Sequence, residues 1–198
     1  MSPDKYKYYK VYKPYGMLSQ FTDAEGRPTL KELFSFPEDV YPIGRLDADS
    51  EGLLLLTNDK ALTDALLNPL NRHKREYWVQ VEGRPDTEGL QKLERGVLIK
   101  GRKTLPAQVE IIPDPAVPPR DPPIRFRKNI PETWIRIILI EGKNRQVRRM
   151  TASIGHPTLR LIRTGIENIR LGNMVPGEVL TPDETEINFL RQLTKAAK

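Results

Sequence analysis

The chain has 198 residues, of which 38% are hydrophobic, and a formal net charge of +6. This length favours a single domain, or one domain with two lobes. No window approaches the ~18 consecutive apolar residues of a membrane helix, and the N-terminus lacks the apolar core of a signal peptide. We therefore expect no membrane association and a cytoplasmic location. The positive charge favours an anionic partner such as RNA or DNA, with a merely soluble basic protein as the equal alternative.

The residue types that are missing limit the chemistry. The chain has no cysteine, which excludes disulfides, thiolate catalysis and Cys-based zinc sites. Its two histidines, His73 and His156, are far apart in sequence, so a His-rich metal site or a Ser-His-Asp triad has little support. We expect no bound metal.

Short strands and helices are mixed along the chain, with short connections. Apolar, β-branched and aromatic runs predict strands over residues 6–13, 53–56, 76–81, 97–100, 108–112, 134–140, 159–163 and 166–171. Helical spacing and capping residues predict helices over residues 28–34, 59–67, 86–95 and 147–154. The last dozen residues are compatible with a helix or a frayed end. This order predicts an α+β fold with a mostly antiparallel sheet.

Some of these segments carry more specific expectations. Alternating aromatics and lysines over 6–13 predict an edge strand that lysines protect, or alternatively an RNA-stacking surface. Asn58 or Asp59 is expected to cap the helix that follows the leucine run, and Gly96 to end its helix in the left-handed conformation. Proline-rich residues 113–131 predict an extended loop, whose basic second half either contacts phosphates or serves as a spacer.

Two segments could carry chemistry. Residues 44–59 place Arg45 and Asp47 in a charged loop ahead of a buried four-leucine strand. A loop joined to a buried strand can hold a reactive carboxylate in a fixed position. Asp47 alone is more simply a turn residue. Basic residues are dense over 143–149, where helical spacing places Val147 inward. Their mutual repulsion calls for acids or phosphates as partners, although a solvated basic face is the alternative.

Three motifs then show a resemblance to a known family. GRLD with SEGLLLLTND over 44–59, KREY over 74–77 and EGKNRQVRRM over 141–150 resemble, in this order, the three motifs of the pseudouridine synthases that modify ribosomal RNA. The match spans nearly the whole chain. The resemblance implies one catalytic domain over 1–198 with a core over about 7–182, two lobes with an active-site cleft between them, and a C-terminal tail over 183–198.

The resemblance implies a role for each matched residue. Asp47 matches the catalytic aspartate and Arg45 a residue that helps to extrude the target nucleotide. Tyr77 matches the tyrosine that stacks on the flipped uracil, and Val147 the apolar residue beneath it. Arg148 matches the basic residue that pairs with the aspartate. Arg149 is the alternative for that pairing, and together with Lys143 and Arg145 it is a candidate RNA contact.

The reaction and subgroup complete the expectations. Uridine isomerisation breaks the N1–C1′ bond and rejoins the ring through C5 without redox change, so no cofactor is expected. The first catalytic strand begins near Met1, leaving no room for the N-terminal RNA-binding module of many relatives. Residues 104–107 and 122–125 resemble a subgroup without that module, which implies a monomer acting on large-subunit (23S) ribosomal RNA.

Two other functions remain open from the sequence. The basic charge and the proline-rich basic loop also suit a non-catalytic RNA-binding factor of ribosome assembly. The same chemistry on transfer RNA or on small-subunit ribosomal RNA is the second alternative.

Overall fold

A computed structural model describes residues 5–124 and 130–196 of the protein. They fall into two compact units, the first formed by Met1–His73 with Asn168–Lys198 and the second by Lys74–Glu167. Each unit carries its own strands, helices and buried core, and the two are described separately below.

Strands and helices are mixed along the chain. Within each unit the strands pair in antiparallel fashion. The strands are β1 Tyr8–Lys13, β2 Tyr41–Pro42, β3 Glu51–Thr57, β4 Arg75–Glu82, β5 Leu98–Ile99, β6 Arg102–Lys103, β7 Gln108–Ile112, β8 Glu132–Leu139, β9 Thr158–Ile166, β10 Ile169–Arg170 and β11 Val179–Leu180. The helices are α1 Lys60–Leu67, α2 Thr87–Arg95, α3 Gln146–Ser153 and α4 Glu184–Ala196. The predicted α+β class is confirmed.

The first unit is built on the leucine strand β3, which is buried along its whole length. Both β1 and β2 pair with it. Leu54 and Leu56 of this strand join Val11, Leu30 and Val40 in a buried core. A strand that is covered on both faces has a continuous apolar sequence, as β3 does, so the prediction of a buried strand is confirmed.

The edge-strand prediction for β1 is wrong. β1 pairs with β3 over all its residues and with β11 at Lys10 and Val11. Lys10 forms an ion pair of 2.8 Å with Glu186, and Lys13 is fully buried. These lysines find oxygen partners inside the unit instead of protecting an open edge.

Two helices pack against each other in the first unit. The Leu62 amide donates to the Asp59 carboxylate at 3.2 Å, so Asp59 rather than Asn58 is the cap of α1. The end of the chain forms α4, in which Leu190 is buried. A buried anchor of this kind holds a terminal segment in its helix.

The second unit is a four-stranded antiparallel sheet in the order β9-β4-β8-β7. As predicted, Tyr77, Val79 and Val81 lie on the buried face of β4. The predicted central strand is β8, which pairs on both sides. Val147 and Met150 of α3 complete the same core, which confirms the inward face predicted for that helix.

The strand that follows α3 is longer than predicted. In place of separate strands over 159–163 and 166–171, β9 runs without a break over nine residues and β10 has only two. Gly165 does not end the strand because it pairs with Glu76 inside the sheet. The turn comes instead at Glu167, whose φ is 51°.

The proline-rich segment lacks helix and strand over residues 113–124, as predicted. Arg120 folds back within it, donating from Nε to the Pro122 carbonyl at 2.8 Å. The basic second half of the predicted loop, residues 125–129, lies outside the described residues.

Gly96 ends α2 as predicted, but not in the left-handed helical conformation. Its φ of 84° is positive, whereas its ψ of 139° is extended. A Cβ added here would lie 2.3 Å from the Thr104 carbonyl oxygen. Both the backbone conformation and this close approach therefore require glycine.

We expect Gly96→Ala to destabilise the protein by about 1–3 kcal/mol, because it combines backbone strain with a clash against main chain. Gly101→Ala is the matched control, since Gly101 has a φ of 76° and open space around its Cβ position. Denaturant unfolding of both variants measures the difference. Equal losses of stability would mean that the close approach to Thr104 contributes nothing.

Candidate active site

The loop that carries Asp47 is fixed by hydrogen bonds inside the first unit. The Ser19 hydroxyl accepts from the Leu46 amide at 3.0 Å and donates to the Leu46 carbonyl at 2.9 Å. The Asp47 carbonyl accepts from the Ser50 amide at 3.0 Å, which closes a turn just before β3. Asp47 is half-buried and Arg45 is exposed. The backbone on both sides of the Asp47 side chain is therefore held in place.

Lys13 adds a second restraint on this loop. Its fully buried ammonium group donates to the carbonyls of Pro14 and Met17 at 2.8 and 2.7 Å, and to that of Ala48 at 3.4 Å. The Gly16 amide also donates to Ala48, at 2.7 Å. A buried ammonium group is tolerated only when its donors are satisfied. Lys13 therefore ties the loop after β1 to the turn that contains Asp47.

Tyr77 lies on β4 in the second unit and is only 9% exposed. Its neighbours across the sheet are Ile137 in β8 and Arg163 in β9. The Arg163 guanidinium is buried and hydrogen-bonds the Tyr77 side chain. Burial lowers the pKa of the Arg163 guanidinium. Tyr77 raises this pKa in part, whereas the positive charge of Arg75 lowers it further. The sheet thus fixes the position of Tyr77 and places the Arg163 guanidinium as a polar partner for the Tyr77 side chain.

The basic residues of the third motif divide between two environments. Lys143 and Arg145 are exposed in the loop before α3, while Arg148 and Arg149 are half-buried on the helix. The Arg149 Nη2 donates to the Asn144 side chain at 2.8 Å. Val147 is buried in the same core cluster as Tyr77. The structure therefore brings together Tyr77 and Val147.

Glu141 organises the loop that leads into α3. Its carboxylate accepts from the Leu105 amide at 2.8 Å and from the Gln146 side chain at 2.7 Å, and it lies 3.0 Å from the Lys143 ammonium group. Burial opposes ionisation of Glu141, but these three partners outweigh it and hold the pKa of the carboxyl below its usual value. Part of the basic charge is thus balanced by an acid of the same motif.

The predicted site residues are divided between the two units. Arg45 and Asp47 belong to the first, and the other six, Tyr77, Lys143, Arg145, Val147, Arg148 and Arg149, to the second. Sequence reasoning missed the supporting residues Lys13, Ser19 and Arg163. Lys13 stands before Pro14 at a strand end, which is a signal for a turn but not for a buried charge.

Comparisons with known proteins agree with the three motifs. A family model described as RNA pseudouridylate synthase matches residues 7–153. The chain is 54% identical over 166 residues to ribosomal large subunit pseudouridine synthase E of Vibrio parahaemolyticus, covering 84% of this chain and 69% of that protein. It is 52% identical over 182 residues to the protein of the same name in Xanthomonas campestris pv. campestris, covering 90% and 97%. A crystal structure of pseudouridylate synthase matches with a TM-score of 0.79 and 25% identity, covering 96% of this chain and 76% of that one.

The chain belongs to the RNA pseudouridylate synthase family, whose model spans well over half of it. It is an enzyme that isomerises uridine to pseudouridine in RNA. Within the family its similarity is to the proteins named large subunit pseudouridine synthase E, as residues 104–107 and 122–125 predicted.

Over residues 5–124 and 130–196, no three His, Asp or Glu side chains are grouped as they would be to hold a metal ion. Within the same ranges, every helix is too short or too polar to cross a membrane.

We expect Glu141→Gln to lower the free energy of unfolding at pH 7 by about 1–3 kcal/mol, because charge-assisted hydrogen bonds are lost. The folded-state pKa of Glu141 lies below its unfolded value, so its contribution is present above the unfolded pKa and disappears as pH falls through the folded pKa. The difference in unfolding free energy between wild type and variant should therefore be smaller at acidic pH than at pH 7. Glu88→Gln, in an exposed ion pair with Lys92, is the control; a pH-independent gap for Glu141→Gln would contradict the expectation.

Proposed function

We propose that this enzyme converts a specific uridine of large-subunit ribosomal RNA to pseudouridine, with Asp47 as its catalytic aspartate. The observation that carries the substrate is the 52–54% identity to relatives named for the large ribosomal subunit. The position of Asp47 in the first motif, on a loop that Ser19 and Lys13 restrain, supports its role.

Asp47 supplies a carboxylate to a reaction that has no net redox change. The N1–C1′ bond of uridine breaks and the freed uracil turns. C5 then bonds to C1′, the C5 proton moves to a base, and N1 takes up a proton, so the product is an isomer of the substrate. A carboxylate can take part as a nucleophile towards the ribose or the ring, or as a general base. Either route needs the carboxylate held at a fixed place, which the hydrogen-bonded loop provides.

Tyr77 and Arg148 have the roles that the motifs imply. The target base must leave the RNA stack before it can react, and a flipped uracil needs an aromatic platform. Tyr77 serves as that platform, with Val147 of the same buried cluster supporting its ring. Arg148 pairs with Asp47 and supplies a positive charge beside its carboxylate. Arg149 is the alternative in this pairing.

The remaining motif residues contact the RNA. Arg45, exposed two residues before Asp47, assists extrusion of the target nucleotide. Exposed Lys143 and Arg145 contact phosphates, and Arg149 lies beside them. Such contacts position the RNA without reading its sequence.

The test is chemical mapping of pseudouridines in ribosomal and transfer RNA from cells with and without the gene, repeated with purified protein on naked large-subunit RNA. We expect one large-subunit position to lose its pseudouridine in the deletion strain. Purified Asp47→Asn should bind the RNA but form no pseudouridine. Asp49→Asn, two residues along the same loop, should retain most turnover.

Each other result of the mapping points to a definite alternative. A missing pseudouridine in transfer RNA or in small-subunit RNA would replace the proposed substrate. Tight RNA binding with every uridine unchanged would favour the non-catalytic assembly factor. Full turnover by Asp47→Asn, or loss of turnover in Asp49→Asn alone, would move the catalytic role away from Asp47.

Lys143→Ala and Arg145→Ala are each expected to weaken RNA binding and to reduce the slope of log affinity against log salt by about one, because one phosphate contact is lost. Titrations at several salt concentrations measure this slope. Lys92→Ala is the matched control for Lys143, since Lys92 also pairs with a glutamate on the surface of the second unit. Unchanged slopes in both variants would mean that these residues form a solvated basic face that does not contact RNA.

A further inference from the structure

A cavity of about 890 Å³ lies wholly within the first unit, beside the loop that carries Asp47. Its lining includes Phe21, Phe34, Phe36, Tyr41, Lys31 and Arg45. We call it the aromatic cavity. Its volume is within the range of sites that bind small molecules or single groups, roughly 300–1,000 Å³. None of the catalytic residues proposed above lines it.

Two of the rings that line the aromatic cavity, those of Phe34 and Tyr41, are unusually open to solvent. Phe36 packs against Phe21 and Phe34 with ring centroids 5.6 and 5.1 Å apart, so these rings form a connected wall. Phe34 is nevertheless 46% exposed and Tyr41 is 62% exposed. Grouped exposed aromatic surface of this kind marks a place where something binds.

The charges at the aromatic cavity indicate an anionic occupant. Lys31 and Arg45 both line it, and they outnumber the Glu38 carboxylate. Both cations are exposed and neither forms an ion pair within residues 5–124 and 130–196. Aromatic faces next to unengaged cations are what unpaired nucleotides require, since bases stack on rings and phosphates contact cations.

The location also favours RNA. Arg45 and Gly44 line the cavity, and Asp47 follows Arg45 by two residues, a separation of at most about 7 Å along the backbone. A uridine that is flipped towards Asp47 leaves its flanking nucleotides unstacked. The aromatic cavity, which Gly44 and Arg45 of the same loop line, is therefore a candidate site for one of those nucleotides.

We infer that the aromatic cavity binds an unpaired nucleotide next to the target uridine, with its base stacked on Tyr41 or Phe34 and its phosphate near Lys31 and Arg45. This inference deepens the proposed function and rests on it. It makes the cavity a determinant of which uridine is chosen, because only a site whose neighbouring nucleotide can unpair would fill it.

The kinetic test uses naked large-subunit ribosomal RNA and the full chain. At least one of Tyr41→Leu and Phe34→Leu, the variant that removes the ring on which the base stacks, should raise KM roughly tenfold, with kcat within about twofold of wild type. Tyr41→Phe keeps a ring and should restore the wild-type KM. Leu70→Ala removes an 84% exposed side chain of the same unit that does not line the cavity, and should leave KM unchanged. Unchanged KM in both leucine variants would overturn the inference.

A second measurement is independent of the RNA class that is modified. Short-wave ultraviolet cross-linking to total RNA from the deletion strain should attach a nucleotide to the peptide that carries Tyr41 or Phe34, as read by mass spectrometry. Wild-type protein without any such adduct would overturn the inference. A defect of Tyr41→Leu on ribosomal particles but not on naked RNA would also overturn it, because the cavity would then bind a protein. Adducts on these residues without turnover on large-subunit RNA would instead count against the proposed substrate alone.

Discussion

The Lys13 ammonium group is the constraint on which the proposed catalytic loop depends. It lies inside the first unit, where three backbone carbonyls accept its hydrogen bonds. Those carbonyls belong to loop and turn residues outside the sheet and helices. Because a buried cation must satisfy its donors, the loop after β1 and the turn at Asp47 are held together by a large penalty for separation. A reactive carboxylate on a loop thereby gains the fixed position that strands normally provide.

The second unit achieves the same fixation by different means. Tyr77 is held by pairing, because β8 and β9 flank its strand on both sides, and the buried Arg163 of β9 lies opposite it. The basic motif around α3 is held in two ways, by Val147 and Met150 in the core and by the Glu141 carboxylate ahead of the helix. The charged residues proposed to contact RNA are thus positioned by apolar contacts and by one acid whose hydrogen bonds are satisfied.

The chemistry and the binding surface of this enzyme make different demands on the chain. Isomerisation of uridine needs few groups, held rigidly, since no electrons or atoms are exchanged with another molecule. Recognition of one uridine in a large RNA needs extended contact, which phosphates alone do not make specific. The aromatic cavity beside Arg45 is our proposed means of reading how easily the RNA around the target unpairs.

Local sequence patterns were enough to predict the leucine strand, a helix cap at Asn58 or Asp59, the inward faces of β4 and α3, and the family. These follow from local periodicity, capping chemistry and ordered motifs, which a linear pattern carries. Tertiary structure alone decided that β1 is paired on both sides, that β9 continues through Gly165, and that Lys13 and Arg163 are buried supports. Pairing partners and buried charges depend on residues distant in the chain, so no local pattern around Lys13 or Gly165 could reveal them.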